Sequence, residues 1–296
     1  MTAPILVLGN VNVDLVMGPV DCWPAIGTEV EVERAEMRAG GSAGNTALAL
    51  TGLREPHLLI ASTGDDPNGV WLRGEFASAC CDWIDDPGMT TTTVGIVHKG
   101  GDRAFFTTPG HLQRASPDVL MSRVPAAPRP GAVALLSGNL LMPAIRDATA
   151  GILAGLRARG WATAIDPGWP PQGWAAELHA MFAEWLALTD HALLNEEEVT
   201  ALARGADVNA LAGRLPKGAT LVVKRGPAGA ICIRDGVRHT ASAPQVEVID
   251  TVGAGDSFNA AFLAAHVAGA SPHAALAHGV AVASHAVSTF PRRYLT

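Results

Sequence analysis

The chemistry of this chain concentrates in Asp250-Thr251-Val252-Gly253-Ala254-Gly255-Asp256-Ser257-Phe258-Asn259. Beyond Asp256, the apolar residues Phe258, Ala261, Phe262 and Ala265 recur at i, i+3, i+4 and i+7, which predicts one face of a helix. Residues 246–249 read as a strand leading in, so the Gly-Ala-Gly turn is expected where a strand feeds a helix N-terminus. Small residues let a ligand approach the backbone, and the first amides of a helix lack intrahelical acceptors. Together with the helix dipole they suit phosphate oxygens. An aspartate there would repel a phosphate, but it has a role if it takes the proton of a hydroxyl attacking that phosphate. Asp is also a preferred helix N-cap, and spacing alone leaves both readings open.

Further polar residues fall at strand ends. Asn10, Asn12 and Asp14 alternate along an expected strand over 5–16 and would share a face. Such groups are costly in a core unless they bind a ligand or neighbouring loops satisfy them. Asn195 ends a strand, and Glu198 lies one turn into the next helix, where a cap and an acidic first turn would account for both. Lys224-Arg225-Gly226-Pro227-Ala228-Gly229 is a glycine-containing loop after a strand, and His278 lies on a helix opened by Ser271-Pro272.

The elements that must position these groups alternate. Strands are expected at 5–16, 58–61, 94–98, 133–136, 163–166, 192–195, 221–224, 230–234 and 246–249. Helices are expected at 43–52, 144–159 and 196–204. Several strands are continuous apolar runs, as in a sheet covered on both faces, and the alternation predicts an α/β fold with a doubly wound, mainly parallel sheet. No internal repeat or long linker divides residues 1–296, which read as a single α/β domain. Residues 16–33, ending in the alternating Val30-Glu31-Val32-Glu33, and residues 92–108, around Lys99-Gly100-Gly101-Asp102, read as β-excursions off the main sheet, expected as a small lid or, alternatively, as edge strands with no role.

Composition narrows the partners. The net charge is −7 and the basic residues are scattered, which argues against nucleic acid. Lysine occurs only at 99, 217 and 224, so an anion site must lean on arginine, magnesium or backbone amides. Cys22, Cys80, Cys81 and Cys232 lack metal-type spacing and suit a reducing compartment. Apolar runs fall short of the roughly 20 residues a membrane helix needs. The first residues do not resemble a signal peptide, so a cytoplasmic location with no membrane partner is expected. Gly9-Asn10-Val11-Asn12 is not a dinucleotide fingerprint, and no P-loop sequence occurs.

The 250–259 stretch resembles the second signature of the ribokinase family, the PfkB-type carbohydrate kinases. Ala39-Gly40-Gly41-Ser42-Ala43-Gly44-Asn45-Thr46-Ala47 resembles the first signature, and Gly9-Asn10-Val11-Asn12-Val13-Asp14 the opening strand. Gly64-Asp65-Asp66-Pro67-Asn68-Gly69 and Asn195-Glu196-Glu197-Glu198 resemble two more motifs, all in family order. The resemblance implies a ribokinase-like fold and an ATP-dependent kinase. Asp256 would be its base, and residues 253–255 (Gly253, Ala254, Gly255) its anion hole. It places Asn12, Asp14, Gly41 and Asn45 on the substrate hydroxyls, with Asn139 where family members carry an acidic sugar contact. Asn195, Lys224, Gly226, Gly229 and His278 would serve ATP, and Glu198 would hold Mg2+ through water. Asp250 would lie beside a monovalent cation such as K+. However, the family's glycine-containing loop for that cation is not found after the last helix, which puts K+ in doubt. The substrate would be a sugar, or alternatively a nucleoside; a non-catalytic regulator on the same scaffold is a more distant reading. A homodimer through the lid is compatible with this organisation.

Overall fold

Alternation along the first strand sets the architecture. In β1 (Ile5–Gly9), Ile5 and Val7 join one hydrophobic cluster while Leu6 and Leu8 join another. This is the period-two pattern of a strand covered on both faces. The structure, a computed structural model, describes residues 4–99 and 103–294, so Gly100, Gly101 and Asp102 of the expected turn lie outside the described residues.

The remaining strands are β2 (Asn12–Val20), β3 (Arg34–Gly40), β4 (His57–Gly64), β5 (Cys81–Asp86), β6 (Thr92–His98), β7 (Arg103–Thr107), β8 (Val133–Ser137), β9 (Ala162–Asp166), β10 (His191–Asn195), β11 (Thr220–Lys224), β12 (Ala230–Arg234) and β13 (Val237–Ala241). Nine of them form a sheet in the order β13-β12-β11-β10-β9-β8-β1-β4-β5. It is parallel except for β12 and β13, which add antiparallel at one edge. The order reverses between β1 and β8, the kind of switch point where ligands gather at the C-terminal ends of strands. A second sheet, ordered β3-β2-β6-β7, stands off the first.

The helices are α1 (Ser42–Gly52), α2 (Pro67–Gly74), α3 (Pro117–Arg123), α4 (Pro143–Asp147), α5 (Thr149–Ala158), α6 (Ala176–Ala187), α7 (Glu196–Ala203), α8 (Val208–Ala212), α9 (Ala254–Val267) and α10 (Pro272–Val287). One face of the large sheet buries side chains of α1, α2, α9 and α10. The other buries those of α3 to α8, around Phe182 and Trp185 toward one end and Leu156 and Trp161 toward the other. No helix among the described residues is long and apolar enough to cross a membrane.

Several expectations need correction. The single strand over 5–16 is two strands in two sheets, broken at Asn10-Val11 where the chain crosses between them. The first excursion pairs β2 with β3, and its ladder runs only from Asn12↔Gly40 to Gly18↔Arg34. Val30-Glu31-Val32-Glu33 therefore has no partner and is not a strand. Residues 246–249 are not a strand either. Val246, Val248 and Ile249 are exposed, and the Ile249 amide bonds to the Val287 carbonyl at the end of α10. Alternation in an exposed segment with no free ladder beside it does not make a strand. The helix expected over 144–159 breaks at Ala148 into α4 and α5. Edge strands β5 (CDWIDD) and β13 (VRHTA) were not foreseen, since half-polar edges lack the apolar run that marks a central strand.

Candidate active site

Register brings chemistry to one rim. Gly9 of β1 aligns with Ser137 of β8, Ser137 with Asp166 of β9, and Asn195 of β10 with Lys224 of β11. These are last residues of parallel strands, at the rim where such sheets gather ligands. There the Lys224 ammonium donates to Asp166 at 2.7 Å and to the Asn259 amide oxygen at 3.3 Å, and the Asn259 side-chain amide donates to the same Asp166 oxygen. Lys224 is 13% and Asp166 8% exposed, a nearly dry ion pair. Burial works against the ammonium's charge, but Asp166, Glu198 and Asp256 outweigh it and hold its pKa above the usual lysine value.

Asp256 lies in the first turn of α9 and is buried. Gly253, not Asp256, is the cap residue, and no side chain caps this helix; the capping reading therefore fails here. Asp256 instead accepts a hydrogen bond of 3.0 Å from the Asn45 side-chain amide of α1. Burial, then repulsion from Asp166, push its carboxyl up to about 7, while Lys224, Asn45 and Arg292 pull the other way. The turn before it needs its glycine: Gly253 has φ 73°, a left-handed conformation that an L side chain adopts at a cost. A Cβ at Gly255 would sit 3.3 Å from the Lys224 ammonium, and one at Gly253 would sit 2.7 Å from a guanidinium nitrogen of Arg292. Two cations thus bracket the turn. Of the three amides expected to form an anion hole, that of Ala254 is engaged by the Thr251 carbonyl at 3.2 Å.

On the small-sheet side, the Asn12 side-chain amide donates to Asp14 at 2.6 Å and to the Thr93 hydroxyl at 3.2 Å. Both residues are buried. Burial raises the Asp14 carboxyl to about 6, against the pull of Asn12, Arg38 and Arg292. Gly40 and Gly41 make this packing possible. A Cβ on Gly40 would collide with the Asp14 carboxylate, and one on Gly41 would lie 2.8 Å from the Asn12 side-chain oxygen. Asn10 belongs elsewhere: its side-chain oxygen accepts the Ser42 amide at 2.9 Å, capping α1 from a neighbouring segment. Asn139 does not join the site. It is fully buried, and its amide donates to the Thr149 hydroxyl at 2.8 Å, turned toward α5.

Asn195 and Glu198 form a reciprocal cap. The Asn195 side chain accepts the Glu198 amide, and the Glu198 carboxylate accepts the Asn195 amide, both at 2.8 Å. Glu198 is nevertheless pushed up to about 8 by burial and by Asp166. A divalent cation bound nearby would relieve the repulsion that Asp166 exerts on Glu198. No cluster of three or more metal-ligating side chains forms among the described residues, so a Mg2+ here would be held mainly by phosphates and water.

A monovalent cation at Asp250 does not fit. One carboxylate oxygen accepts the Val252 amide at 2.9 Å, and the other accepts Arg38 at 2.5 Å and Arg292 at 3.4 Å. Burial opposes the charge, yet these partners outweigh it and hold the Asp250 carboxyl below the usual carboxylate range. Gly226 and Gly229 frame the short turn between β11 and β12, and His278 is half-buried on α10.

Sequence reasoning missed Asp166, Asn259, Arg38 and Arg292 as members of the site. Asp166 did carry a signal, an acidic residue closing an apolar strand before Pro167-Gly168. The two arginines carried none, since only folding brings them to Asp250.

The chain matches the model of the pfkB family carbohydrate kinases over residues 2–291. It is 29% identical over 264 residues to an ATP-dependent ribose-1-phosphate kinase of Halopiger xanaduensis, covering 88% of this chain and 83% of that one. It is also 29% identical over 258 residues to a fructokinase of Klebsiella pneumoniae, covering 82% of each. In fold it is similar to an Arabidopsis thaliana ribokinase complexed with ribose and ATP, with a TM-score of 0.77 and 21% identity over 98% of this chain and 94% of the other. An adenosine kinase of Sinorhizobium meliloti superposes with a TM-score of 0.81 and 22% identity, over 100% of this chain and 97% of that one. The chain belongs to the pfkB family of carbohydrate kinases, and its fold is ribokinase-like.

Proposed function

We propose that this carbohydrate kinase moves the terminal phosphoryl group of ATP to a sugar hydroxyl with Asp256 as the base. The observation carrying this reading is a buried carboxylate held by Asn45 beside a glycine turn flanked by Lys224. The attacking hydroxyl gives its proton to Asp256 as its oxygen bonds to phosphorus; the bond to the bridging oxygen breaks and ADP leaves. The Gly253 and Gly255 amides of the turn and the Lys224 ammonium stabilise the charge on the transferring group. Asn12, Asp14 and the backbone at Gly41 orient the sugar, and Asn45 fixes the carboxylate that serves it. The loop at Gly226 and Gly229, with His278 on α10, faces the nucleotide. Magnesium would neutralise the phosphates and be held through water by Glu198 and Asp166.

The small sheet is read as a lid over the sugar, and its exposed Met37 and Phe106 as the face a second copy would cover. A cytoplasmic location and a small-molecule partner complete the reading. A sugar is favoured over a nucleoside because the sequence relatives include a ribose-1-phosphate kinase, fructokinases and a 2-dehydro-3-deoxygalactonokinase, whereas the adenosine kinase likeness speaks for the fold. The test is a panel of sugars, sugar phosphates and nucleosides with ADP release as readout. Turnover of sugars is expected; turnover of nucleosides alone would overturn the sugar assignment.

A further inference from the structure

The cluster around Asp250 differs in kind from a cation-binding site. Arg38 comes from β3 of the small sheet and Arg292 from the segment after α10, and both converge on one carboxylate oxygen. Arg38, Asp250 and Arg292 are only 18%, 12% and 17% exposed. Arg292 also donates to the Val252 carbonyl, and its guanidinium lies against Gly253. Tyr294, half-buried, packs its ring against Gly52 of α1 and so fixes the approach of this segment. A hard cation needs several oxygen ligands. Here the carboxylate and the neighbouring carbonyl already accept from guanidiniums, and a further cation would face two positive charges at contact range.

We propose that Arg292, braced by Asp250 and Arg38, replaces a monovalent cation as the fixed positive charge behind the anion turn, and that this kinase works without K+. Arg292 acts as a positioning residue. By holding the Val252 carbonyl it sets the angle at which the turn presents its amides, and its charge lies within reach of Asp256 and Asp14. Arginine suits the task because its planar fork can serve a carboxylate and a carbonyl together and never loses its proton.

The inference rests on the kinase reading, so the experiment separates the two. Turnover is measured in KCl, NaCl and choline chloride at equal ionic strength. Equal rates are expected; activation by K+ of about tenfold or more, a ~1.4 kcal/mol effect, would overturn the proposal. Melting temperatures with a non-hydrolysable ATP analogue are read in the same salts and need no turnover. Coincident values are expected, and a rise specific to K+ would overturn the proposal even if no sugar reacts, an outcome that would sink the kinase reading instead. Arg292→Ala should lower kcat by about 10²-fold through misplacement of the turn. Added guanidinium ion should restore part of that loss, and the pH limb of kcat/KM should move to higher pH. Arg292→Lys should keep more activity than Arg292→Ala. If Arg292→Ala folds and retains its rate and pH profile, Arg292 has no such role.

Discussion

Asn45, in the first turn of α1, donates a hydrogen bond of 3.0 Å to Asp256, in the first turn of α9, across 211 residues of sequence. Two helix N-termini thus meet over one carboxylate, and each motif supplies what the other lacks. The α9 turn brings its glycines and the Asp256 carboxylate. The α1 turn brings the group that aims that carboxylate and, through Gly40 and Gly41, the room for Asn12 and Asp14.

Asp256→Asn should preserve ATP binding and lose about 10²–10⁴-fold in kcat, the usual worth of a positioned base. Nucleotide affinity by calorimetry beside steady-state rates checks this. Retention of more than about a tenth of kcat would remove Asp256 from the role.

A base at Asp256 would work only when ionised, and the Asp256 carboxyl is pushed up to about 7. kcat/KM should therefore rise with pH through about 7 and level off above it. Asn45→Ala removes a hydrogen bond that favours the charged form and should move this limb to higher pH. Asp166→Asn removes the repelling neighbour and should move it lower. Opposite shifts from two variants distinguish this origin of the pH dependence from a general loss of structure.

Lys224→Met should cost stability as well as activity. It leaves the buried Asp166 carboxylate without its cation, a loss of ~3–5 kcal/mol by analogy with other broken buried pairs. The urea midpoint should fall with little change in slope, while Lys224→Arg should retain more of both properties.

Asn195 and Glu198 can be separated by substitution. Asn195→Ala removes the side-chain cap of α7 and should cost ~1 kcal/mol. Glu198→Gln keeps a side chain able to complete the reciprocal cap, so its stability should stay near that of the parent. Its activity should demand more Mg2+. An unchanged Mg2+ requirement would leave Glu198 with the cap alone.

The large sheet was legible because its central strands are buried on both faces and so are written as apolar runs, as in Val133–Ser137 and His191–Asn195. Asp256, Asn45, Asn12 and Asp14 were legible because each sits in a local motif of fixed spacing, and the structure brings these four to one region. Asn139 was read by its place in sequence, yet one turn of backbone points it into the core at Thr149. Arg38 and Arg292 were invisible for the opposite reason, since their partner lies 212 and 42 residues away and no local pattern encodes such a meeting. Residues 246–249 show the limit of periodicity: alternation says which sides differ, but a strand also needs a neighbour to pair with.

The chain passes between the two sheets through Asn10-Val11 and returns through Gly41, and these crossings touch, because a Cβ on Gly41 would lie 2.5 Å from the Asn10 carbonyl. Two further crossings, residues 87–91 from β5 into β6 and residues 108–111 after β7, also tie the smaller sheet down. They touch as well, since the Thr91 amide donates to the His111 ring at 3.0 Å and the His111 amide to the Met89 carbonyl at 2.9 Å. Tethered at two places rather than along one line, the smaller sheet has little freedom to swing, and Asn12 and Asp14, just beyond the first pair of crossings, hold a fixed place relative to the large sheet.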